Sequence, residues 1–233
     1  MSVILITGGT SGFGKADAAE FVKRGETVII TGRKKDTLSA AADEIGCDSF
    51  RADVTSPEDW AALYEFIKSK YGRIDLLVNN AGGGVSLKPL TEQSIEEITY
   101  SVNVNLTGTI YGCRTFAPMM KEQKSGTIIN ISSVCAKRAW PGFSVYSAAK
   151  WGVLGFSKVL YTELRADNIR VTCFIPAAGD TNFEIAAGAA EQHHVMMKPE
   201  NVAAGIADIF YMPQHVVIEE MTMWGSDQEV VPL

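Results

Sequence analysis

The alternation of short apolar runs with longer segments of helical period constrains this chain more than any other feature. Residues 3–6, 27–31, 49–52, 76–79, 127–131 and 171–175 read as strands, too short to be helices. Between them, 12–24, 35–45, 57–71, 95–122 and 146–167 repeat apolar residues at three- and four-residue spacing, as helices with one buried face do. Strand, helix, strand with so little interruption specifies a parallel sheet covered by helices. The right-handed crossover rule makes a doubly wound sheet the simplest topology. Thr55-Ser56-Pro57-Glu58 places a hydroxyl cap before a proline in a first helical turn, and Lys198-Pro199-Glu200 repeats the proline signal. A further helix is expected over 199–212 and a last strand over 216–223. The chain's 233 residues suit one large α/β domain, and no Pro/Ser/Gly-rich linker divides them, so 1–233 is expected to form a single domain. Residues 180–198, rich in Ala and Gly and without a period, are expected to form a flap over it.

Charge narrows the partners. With 21 basic and 27 acidic residues the net charge is −6, which argues against nucleic acid or an anionic membrane as the main partner. No run approaches the ~20 apolar residues of a membrane span, and the first apolar run is too short for a signal-peptide core, so a cytoplasmic protein is expected. Cys47, Cys113, Cys135 and Cys173 are widely spaced, which reads as four reduced thiols. His193 and His194 are adjacent, so their side chains diverge, and no acid or Cys cluster accompanies them. No metal is expected.

The first strand enters the first helix through Thr7-Gly8-Gly9-Thr10-Ser11-Gly12-Phe13-Gly14. Gly8, Gly12 and Gly14 supply a tight turn, a close backbone approach to a pyrophosphate and close packing of helix on strand, while the helix N-terminus offers N–H groups and a positive dipole end. A turn serving chain reversal alone is the alternative. Its place between strand and helix at the start of a βα series favours a dinucleotide, held by Gly8, Thr10, Ser11, Gly12, Phe13 and Gly14 on a Rossmann-type doubly wound sheet. About 20 residues further on, where a site for NAD would carry an acid, the chain reads Thr31-Gly32-Arg33-Lys34-Lys35. Three cations at a helix start are disfavoured by the macrodipole, so an anion is expected to compensate. Arg33, helped by Lys34, can grip a 2′-phosphate in bidentate fashion, which points to NADP (NADPH) rather than NAD. The alternative is a solvated basic face.

Ser132 and Ser133 end the fifth strand, and Tyr146 and Lys150 come after them, four apart on one helical face. A phenol of ordinary pKa near 10 is a poor proton shuttle at neutral pH. A neighbouring ammonium, together with the positive nicotinamide of an oxidised cofactor, is the help it needs. Ser133 could hydrogen-bond a substrate oxygen and hold it against the phenol.

These residues, in this order, resemble the short-chain dehydrogenases/reductases. The turn from Thr7 to Gly14 resembles that family's Thr-Gly-x-x-x-Gly-x-Gly. Asp53-Val54 is similar to its adenine-contacting pair, Asn79-Asn80-Ala81-Gly82 to the motif supporting the central sheet along the cofactor, and Asn105-Leu106-Thr107-Gly108 to the helix segment with the catalytic Asn. Ser133, 13 residues before Tyr146, matches the family's serine better than Ser132 does. The resemblance implies a tetrad of Asn105, Ser133, Tyr146 and Lys150 that serves hydride transfer between nicotinamide and a carbonyl carbon. Tyr146 would be the general acid or base, Ser133 would orient the oxygen, Lys150 would bind nicotinamide ribose hydroxyls and lower the Tyr146 pKa, and Asn105 would hold a water linking Lys150 to solvent. It also implies cofactor contacts from Asp53, Val54, Asn80, Ala81, Gly82, Pro176, Gly179 and Thr181. Pro176-Ala177-Ala178-Gly179-Asp180-Thr181 departs from the family's Pro-Gly, which predicts a different course for the nicotinamide-side loop.

Ser133, Trp140, Phe143 and Phe183 are the candidate substrate contacts. The Ser11–Gly14 and Thr31–Lys34 segments and the tail at 215–223 are similar to the NADP-dependent 3-hydroxy acid and serine dehydrogenases, which implies a small polar hydroxy acid, its semialdehyde or a short aldehyde as substrate. The alternatives are a broad-specificity carbonyl reductase and a non-catalytic nucleotide-sensing protein on the same fold. By resemblance the long helices 95–122 and 146–167 pair across a two-fold axis, implying a homo-oligomer, a tetramer or a dimer.

Overall fold

In the computed structural model, which describes residues 1–181, 183, 187–188 and 196–228, the short apolar runs form one parallel sheet. Its strands are β1 (Val3–Thr7), β2 (Thr27–Gly32), β3 (Asp48–Arg51), β4 (Leu76–Asn79), β5 (Gly126–Ile131), β6 (Ile169–Pro176) and β7 (Glu220–Met223), in the order β3-β2-β1-β4-β5-β6-β7. Every neighbouring pair is parallel, with Ile4 opposite Val28 on one side and Leu76 on the other. β1, β4, β5 and β6 are buried along their whole length, which is why each reads as a continuous apolar run rather than an alternation.

Successive side chains point to opposite faces, and the core divides accordingly. Ile4, Ile6 and Ile30 pack with Phe21 of α1 (Gly12–Lys23), Leu38 of α2 (Lys35–Ile45) and Ile206 of α7 (Pro199–Tyr211). Leu5 and Ile29 pack with Trp60 and Leu63 of α3 (Pro57–Lys70) and Phe116 of α5 (Gly108–Gln123). α3 starts as its sequence requires: Ser56 Oγ accepts from the Asp59 N–H at 3.1 Å, Pro57 takes the first helical position, and Glu58 and Asp59 occupy the positive end of the dipole.

Three elements differ from the sequence expectation. The helix expected over 95–122 is interrupted: α4 (Ile95–Val102) passes through a wide π turn at Asn103–Thr107 before α5 begins. Asn105 Nδ2 donates to the Ser101 carbonyl at 2.9 Å inside that turn, a local competitor with the regular ladder. The helix expected over 146–167 is α6 (Ser144–Leu164) and closes with a 3₁₀ turn at Arg165–Asp167. The last strand shortens to Glu220–Met223, because Val216 turns back to the Pro213 carbonyl at 2.8 Å and the Val216 carbonyl faces the buried Arg170 guanidinium at 3.5 Å. Arg170 also donates to the carbonyls of Phe210 and Met212 at 2.7 and 2.9 Å, so a cation caps the C-terminal end of α7.

The chain runs outward from β1 through β2 to β3, then returns to lay β4 against the other side of β1. That reversal opens a crevice between the C-terminal ends of β1 and β4, where ligands of such sheets bind. Most of the expected flap at 180–198 lies outside the described residues. Among the described residues no helix is long and apolar enough to cross a membrane.

Candidate active site

A cavity of about 730 Å³ occupies the crevice. One end is the glycine turn. Gly8 takes φ +68°, where an added Cβ would fall 2.9 Å from Ala81 Cα, and a Cβ on Gly14 would fall 2.5 Å from the Gly8 carbonyl oxygen. The cradle is thus as shallow as backbone permits, and the N-terminus of α1 opens onto it. Asn80 and Thr7 lock its floor: Asn80 Nδ2 donates to the carbonyls of Thr7 and Gly8 at 2.9 and 3.2 Å, and Thr7 Oγ1 accepts the N–H groups of Asn80 and Ala81 at 3.0 and 2.9 Å. These residues fit a dinucleotide diphosphate, because the space that any side chain would fill is left open beside the N–H groups of a helix start.

Arg33, after the end of β2, reaches the same cavity and stacks over the ring of Tyr100, with its guanidinium carbon 5.7 Å from the centroid and a hydrogen bond to the phenol oxygen. Of the predicted cofactor contacts, Gly8, Thr10, Ser11, Gly12, Phe13, Arg33, Val54, Asn80, Ala81 and Gly82 line the cavity, as do Pro176, Gly179 and Thr181. Gly14, Lys34 and Asp53 do not. Gly14 is spent on packing, Lys34 stands exposed as the residue before α2, and Asp53 Oδ1 accepts from the Thr55 N–H and hydroxyl at 2.9 and 2.8 Å.

At the other end Ser133, Tyr146 and Lys150 converge. Ser133 sits past the end of β5, lining the same cavity as Tyr146, its hydroxyl accepting the Cys135 N–H at 3.2 Å. Lys150, one turn after Tyr146 on α6, donates to the Ile131 carbonyl at 2.8 Å and holds its ammonium 5.6 Å from the centre of the Tyr146 ring. Ser132 instead ties α6 to the sheet, its hydroxyl donating to the Lys150 carbonyl at 2.9 Å, which separates the two adjacent serines. Burial governs both titrating groups. It pushes the Tyr146 phenol well above its ordinary range, with Cys135 acting in the same direction and the Ser133 hydrogen bond against it. It pushes Lys150 down to about 8. In the protein alone burial thus favours the protonated phenol; the lowering expected of Lys150 together with a positive nicotinamide belongs to the loaded site.

Asn105 lies at the π turn. Its Nδ2 donates to the carbonyls of Gly83 and Ser101 at 2.7 and 2.9 Å, and its Oδ1 accepts the Gly83 N–H at 3.2 Å. It clamps the segment that passes Lys150. Asn103, its near neighbour, accepts from the Thr107 hydroxyl at 3.4 Å.

Neither Ala177 nor Ala178 takes positive φ; the Ala177 N–H bonds the Met223 carbonyl at 2.8 Å, and Gln228 Nε2 reaches the Ala178 carbonyl at 2.6 Å. The loop without the glycine is thus held by the C-terminal tail, and Trp224 and Gln228 become cavity residues that sequence reasoning missed. The one signal that points to them is topological: β7 is parallel to β6, so the segment after β7 must emerge at the same edge as the crevice. Tyr100 was missed for the same kind of reason. Trp140, Phe143 and Phe183 line the substrate end, joined by Val85, Leu87 and Cys135. His193 and His194 lie outside the described residues. Among the described residues no group of three or more His, Cys, Asp or Glu is placed to hold a metal ion.

The family model for short chain dehydrogenases matches residues 2–192. The chain belongs to this family. Its relatives among short-chain dehydrogenases include the NADP-dependent 3-hydroxy acid dehydrogenase YdfG of Shigella flexneri, 34% identical over 99% of this chain and 98% of that protein. Two solved structures are similar over nearly the whole length. One is the closed form of a serine dehydrogenase complexed with NADP+, with a TM-score of 0.93 and 31% identity over 99% of this chain and 98% of that one. The other is an alcohol dehydrogenase from the archaeon Thermococcus sibiricus complexed with 5-hydroxy-NADP, with a TM-score of 0.88 and 26% identity over 99% of each chain. The short-chain dehydrogenase fold, a single seven-stranded parallel sheet between helices, is the one expected from the sequence.

Proposed function

We propose that the protein is an NADP(H)-dependent oxidoreductase that interconverts a carbonyl and the corresponding alcohol on a small-molecule substrate. The observation that carries this is the two-ended cavity: a glycine cradle with Arg33 at one end and the Ser133–Tyr146–Lys150 group at the other. When bound, the nicotinamide supplies the hydride in reduction and accepts it in oxidation. Tyr146 then gives its phenolic proton to the carbonyl oxygen, or takes it back as the base in the reverse direction. The Ser133 hydroxyl holds that oxygen against the phenol. Lys150 would bind ribose hydroxyls and bring positive charge to the phenolate. Asn105 acts by holding the Gly83 backbone beside Lys150, and a water at this point would complete a proton path to solvent. Arg33 is the group for a 2′-phosphate, which selects NADP over NAD.

The likeness to the 3-hydroxy acid and serine dehydrogenases supports a hydroxy acid, semialdehyde or short aldehyde as substrate. The second reading, a broader carbonyl reductase, is favoured by a cavity wall that is apolar at the substrate end. One domain carries both cofactor and substrate sites. Self-association through α6 is supported by Trp151 and Val159, exposed at 53% and 57% and eight residues apart on one stripe of the helix. This arrangement suits a dimer or tetramer.

Oxidation of NADPH by the purified protein, followed by absorbance over a panel of small aldehydes and ketones, tests the reading. Turnover should fall by at least ~10²-fold in Tyr146→Phe with NADPH binding retained, and Arg33→Ala should weaken NADPH while leaving NADH unchanged. Undiminished turnover by Tyr146→Phe, or none by the wild type, would favour a nucleotide-sensing protein instead.

A further inference from the structure

Beyond Ser133 and Tyr146 the cavity is lined, among the described residues, by Val85, Leu87, Cys135, Trp140, Phe143, Phe183 and Ala187, none of them charged. Phe143 and Phe183 flank the Tyr146 ring, with centroids 6.1 and 5.4 Å away. Among the described residues, the charged side chains that line the cavity are Arg33 and Lys150. Arg33 is at the far end, stacked on Tyr100, and Lys150, bonded to the Ile131 carbonyl, serves the ribose and the phenol in the proposed reaction. Lys88, next to Leu87, is paired with Glu97 at 2.6 Å, and Lys137, two residues after Cys135, with Glu220; Arg138, two residues before Trp140, does not line the cavity. The positions outside the described residues, 182, 184–186, 189–195 and 229–233, contain no lysine or arginine; their titratable residues are three glutamates, His193 and His194.

A carboxylate carried into such a wall would lose its water and find no cation among the described wall residues, a cost that a buried anion escapes only when paired. A neutral carbonyl compound has one oxygen to satisfy, and the Ser133 and Tyr146 hydroxyls meet at one point to satisfy it. The rest of the molecule meets aromatic and aliphatic surface, which rewards rings and branched chains.

We infer, on the basis of the proposed NADP(H) reaction, that the substrate is an uncharged aldehyde or ketone bearing an aromatic or branched aliphatic group, and that carboxylate-bearing substrates are rejected. This sets the chain apart from relatives whose names specify acids.

The test is the ratio of kcat/KM with NADPH for pairs that share a skeleton and differ in one charge: ethyl acetoacetate against acetoacetate, and benzaldehyde against 4-formylbenzoate. The neutral member should win by at least ~100-fold in both pairs. Leu87→Arg, which places a guanidinium in the wall, should lower that ratio at least ~10-fold, and Phe183→Arg repeats the measurement from another part of the wall should the first variant fail to fold. Equal or better turnover of the acids by the wild type overturns the inference and leaves the proposed reaction standing. Absence of turnover with every member of both pairs, while NADPH still binds, overturns the proposed reaction and this inference with it.

Discussion

Asp17 has no counterpart to satisfy it. It sits on the buried side of α1, with both carboxylate oxygens unpartnered among the described residues, and burial raises its carboxyl well above the usual range. The folded state therefore keeps a proton that the unfolded chain releases near pH ~3.9, so Asp17 adds no ionisation penalty below that value and a progressively larger one as pH rises above it. Asp17→Leu should raise the melting temperature at pH 7 by several degrees, as expected from removing a penalty of about 1–3 kcal/mol. The gain over wild type should shrink as the pH is lowered toward 4. A variant no more stable than wild type at pH 7 would sink this account. The helical period of α1 does place residue 17 on the stripe of Gly14, Ala18 and Phe21; what the period does not carry is that no partner meets the carboxyl there among the described residues.

Among the elements, α6 does two jobs at once. Its inner face carries Tyr146 and Lys150, and a buried relay fixes it to the sheet: Asn79 donates to Asn130 at 2.8 Å, Asn130 to Ser157 at 3.0 Å, and Ser157 to the Val153 carbonyl at 2.7 Å. Its outer face carries Trp151 and Val159, which solvent would not favour on a lone subunit. Trp151→Glu combined with Val159→Glu should convert the protein to a smaller species in light scattering with its secondary structure intact. An unchanged mass places the subunit contact elsewhere or nowhere. The inner face was legible because four-residue spacing puts the phenol and the ammonium on one side of any helix. The break before α5 was not, because Asn105, which bonds the Ser101 carbonyl within the turn, also bonds Gly83, 22 residues away, and local period carries no trace of that second partner.

For the molecule as a whole, the decisive quantity is how far the cavity excludes water from Tyr146 and Lys150. Burial holds the ammonium near 8 rather than at its ordinary 10.5, so its positive charge is present at neutral pH and lost as the pH climbs past 8. For carbonyl reduction, kcat/KM should hold level below that point and decline above it, since the charge that supports the forming phenolate disappears. Lys150→Gln should show low activity with no such decline. A wild-type profile level to pH ~10, the ordinary range of a lysine, contradicts the role given to Lys150. The same exclusion of water makes the wall at Val85, Phe143 and Phe183 discriminating, since only in a dry site does an unpaired charge matter this much.

What the residues determined by themselves was everything local: the strand runs, the helix starts, the glycine turn after β1, the cationic end of β2, and the shared face of Tyr146 and Lys150. Each rests on period, capping or backbone freedom over a few residues. Only the tertiary structure decided that Tyr100 carries Arg33, that the tail brings Trp224 and Gln228 to the loop lacking its glycine, and that burial, above all else, raises the Tyr146 phenol in the protein alone. These depend on which segments distant in the chain meet at the edge of the sheet, and on how much water they displace there, neither of which is written in the spacing of residues along it.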